Sequence, residues 1–248
     1  MIRRIESWSP EADAICVRDV YGTRTAGYYR TYGTEHPDVS FYAQYTRKGC
    51  SGVLSAAFGN GTLSVDEQAD LSEWAEFIRF LGLETLLCPA AAADRMGMSA
   101  SGSGYVMRFI ASDRTPKIQV CTPFDPAFSY REVYDLLCDC GFALGAYESW
   151  LGDLALRVRR GSANVLALRE PQTVCTASVL FDSGNAVYLG AVATQPQMRG
   201  RGLAGDLVLR LAKCGKRADI LCKEHRVSFY TSLGFSQIGE FSICHFSK

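Results

Sequence analysis

The segment Gln197-Met198-Arg199-Gly200-Arg201-Gly202-Leu203-Ala204 has the composition of an anion cradle. Gly200 and Gly202 carry no side-chain bulk, so successive backbone N–H groups can close around a diphosphate. Residues from Leu203 onward read as a helix, whose unpaired N-terminal N–H groups and positive dipole end favour the same charge.

The elements that must hold this loop are legible on both sides of it. Ala186 to Thr194 is a short apolar run rich in β-formers and halted by Pro196, and it reads as a largely buried strand. Leu203, Leu207 and Leu211 recur every four residues beside Ala204, Val208 and Ala212, while Asp206, Arg210 and Lys213 point elsewhere, which is helical periodicity. Asp206 suits a first turn, Lys213, Lys216 and Arg217 gather near the end, and Gly215 is the terminator. Arg217 to Cys222 then reads as a strand, Arg226 to Leu233 as a short helix and Phe235 to Phe246 as a final strand.

With its two motifs this order resembles the GCN5-related N-acetyltransferases (GNAT). Gln197, Gly200 and Gly202 fill the family's signature of Gln or Arg, two variable residues, Gly, one variable residue, then Gly or Ala. Phe229-Tyr230 followed by Gly234-Phe235 fits its second hallmark. The resemblance covers roughly the last 90 to 120 residues. It implies a mixed-sheet α/β acyl-CoA N-acyltransferase fold and acetyl-CoA as co-substrate. It also implies that the diphosphate rests on backbone N–H groups from Arg199 to Ala204, within a cradle spanning Gln197, Met198, Arg199, Gly200, Arg201, Gly202, Leu203 and Ala204. Main-chain groups of Val192, Ala193 and Thr194 would pair with the pantetheine arm and polarise the thioester oxygen. Tyr230 falls where many members have the acid that protonates the departing thiolate; alternatively it packs behind the coenzyme. A phenol has a pKa of about 10, above that of a thiol, so such donation needs local help.

The chain departs from the pattern twice. Many relatives carry a carboxylate on the strand before the loop, and Ala186 to Thr194 has none. Glu224, His225, Glu148 and Asp153, or a water chain, are substitutes for that base. Lys223 stands where an Asn often precedes the tyrosine by seven residues, which loosens the register of the last helix. Cys222 is near the site and reads as a core-facing strand residue.

Other phosphate loops fit poorly. A Walker loop needs a terminal Gly-Lys-Ser/Thr, and a dinucleotide fingerprint needs a third glycine that Ala204-Gly205 only half supplies. Nucleic-acid binding is not expected, because no basic run extends from Arg199 and Arg201 and the chain balances 26 acidic against 26 basic residues. No apolar span reaches the ~20 residues of a membrane helix, and no signal-like core follows Met1, so a soluble, cytoplasmic protein without membrane contact is expected. The 10 cysteines read as reduced packing residues, and with only 3 histidines no zinc spacing can be assembled.

The first half echoes the second. Residues 41–46, 52–58 and 62–65 read as strands, with Asn60-Gly61 as a hairpin signal. Helix 70–81, strand 84–88, helix 90–96 and strand 105–110 follow. We therefore expect two tandem units, a degenerate GNAT-like domain at 1–120 and a catalytic domain at 121–248 carrying the acetyl-CoA site. Where the second unit has its glycine loop, the first has Asp66-Glu67-Gln68-Ala69-Asp70, whose charge repels a diphosphate. Ser129 caps a helix to Cys140, with Glu132 completing a capping box. By the resemblance that helix lines the acceptor pocket, and Tyr147, Glu148, Trp150 and Asp153 are candidate acceptor contacts. Tyr21, Tyr28, Tyr29 and Tyr32, with Arg24 and Arg30, read first as core and surface, and otherwise as a platform for an aromatic or anionic acceptor.

The expected activity is transfer of an acetyl group from acetyl-CoA to a primary amine of a small molecule or peptide; the oligomeric state stays open. The competing readings are a non-catalytic acyl-CoA-binding or scaffold protein and a purely structural partner-binding protein.

Overall fold

Runs of valine, threonine and aromatic residues broken by glycine turns pair into one mixed sheet of 11 strands in the computed structural model, which describes residues 1–246. The strands are β1 (Ile2–Arg4), β2 (Val39–Thr46), β3 (Gly49–Ala57), β4 (Asn60–Val65), β5 (Thr85–Pro89), β6 (Gly102–Phe109), β7 (Asn164–Arg169), β8 (Thr173–Asp182), β9 (Ala186–Thr194), β10 (Arg217–Cys222) and β11 (Phe235–His245). The helices are α1 (Pro10–Cys16), α2 (Val20–Tyr32), α3 (Leu71–Leu81), α4 (Ala90–Arg95), α5 (Tyr130–Asp139), α6 (Tyr147–Arg159), α7 (Leu203–Ala212) and α8 (Val227–Thr231). No helix among the described residues is long and apolar enough to cross a membrane.

The spatial order is β1-β2-β3-β4-β5-β11-β6-β10-β9-β8-β7. The last strand of the chain therefore lies between β5 and β6, antiparallel to both, and β6 pairs in turn with β10. Hydrogen bonding thus runs unbroken from the first half of the sequence to the second.

Side chains alternate across the sheet as a period of two requires. Val187 and Leu189 of β9 join the core under α7 and α8, whereas Tyr188 between them joins the cluster of Val20 and Tyr21 from α2 on the other face. Asp219 of β10, 1% exposed, accepts from Arg108 of β6 at 2.7 and 3.1 Å and from Arg217 at 2.9 Å. Arg217 in turn donates to the Asp19 carbonyl and the Thr23 hydroxyl, so buried charge ties α2 to the second half of the sheet.

Several local readings shift. Asn60-Gly61 is not the hairpin turn: Phe58 (φ 51°) and Gly59 (φ 78°) are, and Asn60 and Gly61 already pair with Ala57 and Ala56. Gly61 is needed for space, since a Cβ there would lie 2.6 Å from Leu83 and 3.0 Å from Leu86. Ser129 does cap α5, but Glu132 does not close a capping box; its carboxylate accepts from Arg169 and from the main chain and hydroxyl of Thr173, each at 2.8 Å. Helix α2 has no clear amphipathic signal in the sequence because it buries residues on nearly every side, Thr23, Thr25 and Thr31 among them.

Candidate active site

The site begins where two parallel strands part. Strands β9 and β10 pair from Ala186/Arg217 to Leu189/Ile220 and no further, so Gly190 to Thr194 lack a strand partner on that side. A register shift against β8 between Ser178/Gly190 and Thr176/Ala193 coincides with a positive φ of 49° at Ala191. A bulge of this kind bends the strand and re-aims its main chain. Val192, Ala193 and Thr194 thus lie along the open edge. Thr194 is partly engaged already: its carbonyl accepts from Arg199 Nε at 3.1 Å and from the Cys140 thiol at 3.6 Å.

After Thr194 the chain makes a single 3-10 turn, Pro196–Met198, and enters α7 through Gly200 and Gly202, both at φ 78°. A side chain would strain both positions. Leu203 and Ala204 open the helix, and Gly202 caps it with no side-chain acceptor. Among the described residues the N–H groups of Gly200, Arg201, Gly202, Leu203, Ala204 and Gly205 have no acceptor. Gln197 and Arg201 are exposed, while Met198, Leu203 and Ala204 pack on the core below. These N–H groups, aligned with the α7 dipole and free of side-chain cover, fit a diphosphate.

The segment joining the two halves of the chain is strapped along α7. Lys213 Nζ donates to the carbonyls of Ser112 (2.7 Å) and Arg114 (2.6 Å), Arg210 donates to Ile118 O (2.8 Å), and Asp206 accepts from Lys117 N (2.9 Å). Arg114 pairs with Asp206 at 3.4 Å, and its guanidinium lies 3.5 Å from where a Cβ on Gly205 would stand. A cation is therefore held at the mouth of the cradle.

Tyr230 on α8 is 6% exposed and packs edge-on against Phe229 and Phe235. Burial pushes its pKa well above the usual phenol value, so it is protonated at neutral pH. Cys222 is buried in the same core, and burial raises its thiol too. Beyond β10 opens a cleft of about 450 Å³ lined by Ser103, Gly104, Tyr105, Lys223, Glu224, His225 and Glu240. Lys223 donates to Ser103 O at 2.8 Å, bridging the cleft floor.

Two of the substitute bases, Glu224 and His225, thus share a cleft at the end of β10. Asp153 does not: it accepts from Tyr32 and Arg157, between α2 and α6. Glu148 is exposed on α6. Tyr147 and Trp150 pack with Tyr134 of α5, and Arg131 sits 4.8 Å over the Tyr147 ring.

No family model matches the chain, and no curated protein matches it in sequence. Solved structures do match in three dimensions. A tandem GNAT protein from the clavulanic acid biosynthesis pathway superposes with a TM-score of 0.60 at 15% identity, over 98% of this chain and 97% of that one. A GCN5-related N-acetyltransferase from Kribbella flavida gives 0.59 at 10% identity over 98% and 97%. Another from Sphaerobacter thermophilus gives 0.54 at 14% identity over 98% and 94%.

The fold is that of the GNAT acyltransferases. The parted strands and the glycine loop adjoin, because β9 runs directly into the loop, although 22 residues lie between Thr194 and Arg217 in sequence. Three groups near the candidate site were missed by sequence reasoning. Tyr105 and Glu240 reach the cleft only because β6 and β11 cross between the halves. Arg114 carries no motif, and only the strap on α7 brings it to the cradle.

Proposed function

We propose that the protein is an N-acetyltransferase that moves the acetyl group of acetyl-CoA directly to a primary amine. The observation carrying this reading is the run of unpartnered N–H groups from Gly200 to Gly205 at the start of α7, beside the open main-chain edge of Gly190 to Thr194. The loop suits the coenzyme diphosphate, with Arg114 adjacent, and the open edge suits the amide groups of the pantetheine arm.

In this scheme a neutral amine attacks the thioester carbonyl, forming the C–N bond while main-chain dipoles near Val192 stabilise the oxyanion; one such donor is typically worth about 3–4 kcal/mol. Collapse breaks the C–S bond. The thiolate takes the phenolic proton of Tyr230; burial makes this phenol a weaker acid still, so the transfer requires a thiolate desolvated beside it, and Tyr230 regains its proton from solvent once the coenzyme leaves. The amine proton leaves through Glu224 or His225, which line the cleft just after β10. The acceptor is a small-molecule or peptide amine. The unit built on residues 121–248 carries the activity, and the first unit is a degenerate copy that shapes the acceptor side.

One observation favours the non-catalytic reading: β9 carries no carboxylate. Coenzyme release from acetyl-CoA with a panel of amines separates the two, combined with the Tyr230→Phe variant. Turnover that drops at least about tenfold in the variant, with coenzyme affinity unchanged, supports the enzyme. Acetyl-CoA binding without turnover supports an acyl-CoA-binding protein, and no calorimetric heat at all supports a structural one.

A further inference from the structure

Arg24 is a half-buried cation without a counter-ion. It lies one turn after Tyr21 on α2, and its Nε is wholly buried with no hydrogen-bond partner. Its Nη2 donates only to the Tyr28 hydroxyl, at 3.4 Å, and its Cζ stands 5.6 Å from the ring centres of both Tyr28 and Phe181. Arg157 lies 4.9 Å from the same Phe181 ring. Two guanidinium groups therefore flank one aromatic ring, and the carboxylate near them, Asp153, is taken by Arg157 and Tyr32. Among the described residues Arg24 makes no ion pair. Contact with rings offsets only part of the cost of a desolvated charge, and an unpaired buried donor in a native structure calls for a partner.

The place of this charge suggests the partner. Tyr188 of β9 stacks on the same Phe181 ring that Arg24 approaches, at 6.2 Å between ring centres, and the Tyr188 hydroxyl has no hydrogen-bond partner among the described residues. Tyr188 is on the face of β9 opposite α7. A coenzyme seated on α7 leaves that opposite face for the acceptor of a direct transfer. Arg24 and Tyr188 are both partly exposed.

We propose that Arg24 binds a carboxylate of the acceptor, making the substrate an amine that also carries an anionic group. This rests on the acetyltransferase reading, and the test keeps the two apart. Acetyl-CoA affinity is measured first by calorimetry in wild type and in Arg24→Met, which keeps the length of the stem and removes the charge. Missing coenzyme heat removes the cradle and this inference with it. Coenzyme-release rates are then compared for α-amino acids and their carboxamides, which differ only in the anionic group. The expected result is a preference of about ten- to a hundredfold for the acids in kcat/KM, expressed in KM, that disappears in Arg24→Met while coenzyme affinity and Tm hold. Equal use of acid and amide by wild type, or a preference that survives the substitution, overturns it. If no amine is acetylated, the same amino acids are titrated into coenzyme-saturated protein: Arg24-dependent heat supports the site, and its lack overturns it.

Discussion

The two halves of the chain solve the same strand-to-helix junction in opposite ways. In both, parallel strands part after a short pairing, β4 from β5 beyond Thr62/Leu87 and β9 from β10 beyond Leu189/Ile220. In the second half the loop leaves its N–H groups open. In the first half the chain supplies its own acceptors: Gln68 N donates to Asp66 Oδ1 (2.8 Å), Asp70 N to Gln44 Oε1 (2.9 Å), and Ser72 N and Glu73 N to Asp70 Oδ1 (3.0 and 3.1 Å). Glu73 also accepts from Ile2 N and Gln44, and pairs with the N-terminal amine at 3.1 Å. A helix N-terminus satisfied by its own carboxylates has neither the donors nor the potential to hold a phosphate. One architecture thus gives a self-capped helix or one whose first N–H groups stay open, depending on which residues fill a short loop.

The contrast breaks first at glycine. Gly202→Asp puts a side chain at φ 78° and a carboxylate where the second loop is open. Acetyl-CoA affinity should fall by at least about a hundredfold, or about 2.7 kcal/mol, in calorimetry. Wild type should bind one coenzyme per chain, and a second equivalent would refute the difference between the loops. Arg114→Ala should weaken coenzyme about tenfold, since a charge-assisted contact is typically worth about 1.5–3 kcal/mol. If Asp206→Asn abolishes that effect, Arg114 acts by neutralising Asp206 rather than by meeting phosphate.

Asp70→Ala should lower stability by about 1 kcal/mol in urea unfolding, through loss of a helix cap, and leave coenzyme affinity alone. Any coenzyme effect would mean that the first loop communicates with the second. The smallest effect concerns acid. Burial alone would raise Glu73, but the bonds from the N-terminal amine, Gln44 and Ile2 lower its pKa below the ordinary 4.5. A lowered folded-state pKa contributes stability above the unfolded value, and that stability is lost as pH falls through the folded one. Glu73→Gln should therefore flatten the decline of Tm below about pH 4.3 and change little at neutrality.

Much of this was legible in order along the chain. The short apolar run of β-formers in 186–194, the four-residue repeat of leucines from Leu203 and the spacing of Gln197, Gly200 and Gly202 set strand, helix and loop, because those patterns reflect local geometry. Helix α2 was not legible: threonine, glycine and tyrosine around its circumference give no amphipathic stripe, since it is covered on several sides. Asn60-Gly61 misled because Gly61 answers to Leu83 and Leu86, a constraint from elsewhere in the chain.

By itself, then, the sequence determined the glycine cradle, the apolar strand before it and the acidic loop that stands in its place in the first half. All of these are fixed by bonds and steric limits within a few residues. Tertiary structure alone decided that β11 threads between β5 and β6, that Glu240 and Tyr105 meet at one cleft, that Arg114 reaches α7, and that Arg24 stays without a carboxylate. Those outcomes depend on which distant surfaces bury one another, and pairing between strands more than a hundred residues apart leaves no periodic trace in either strand.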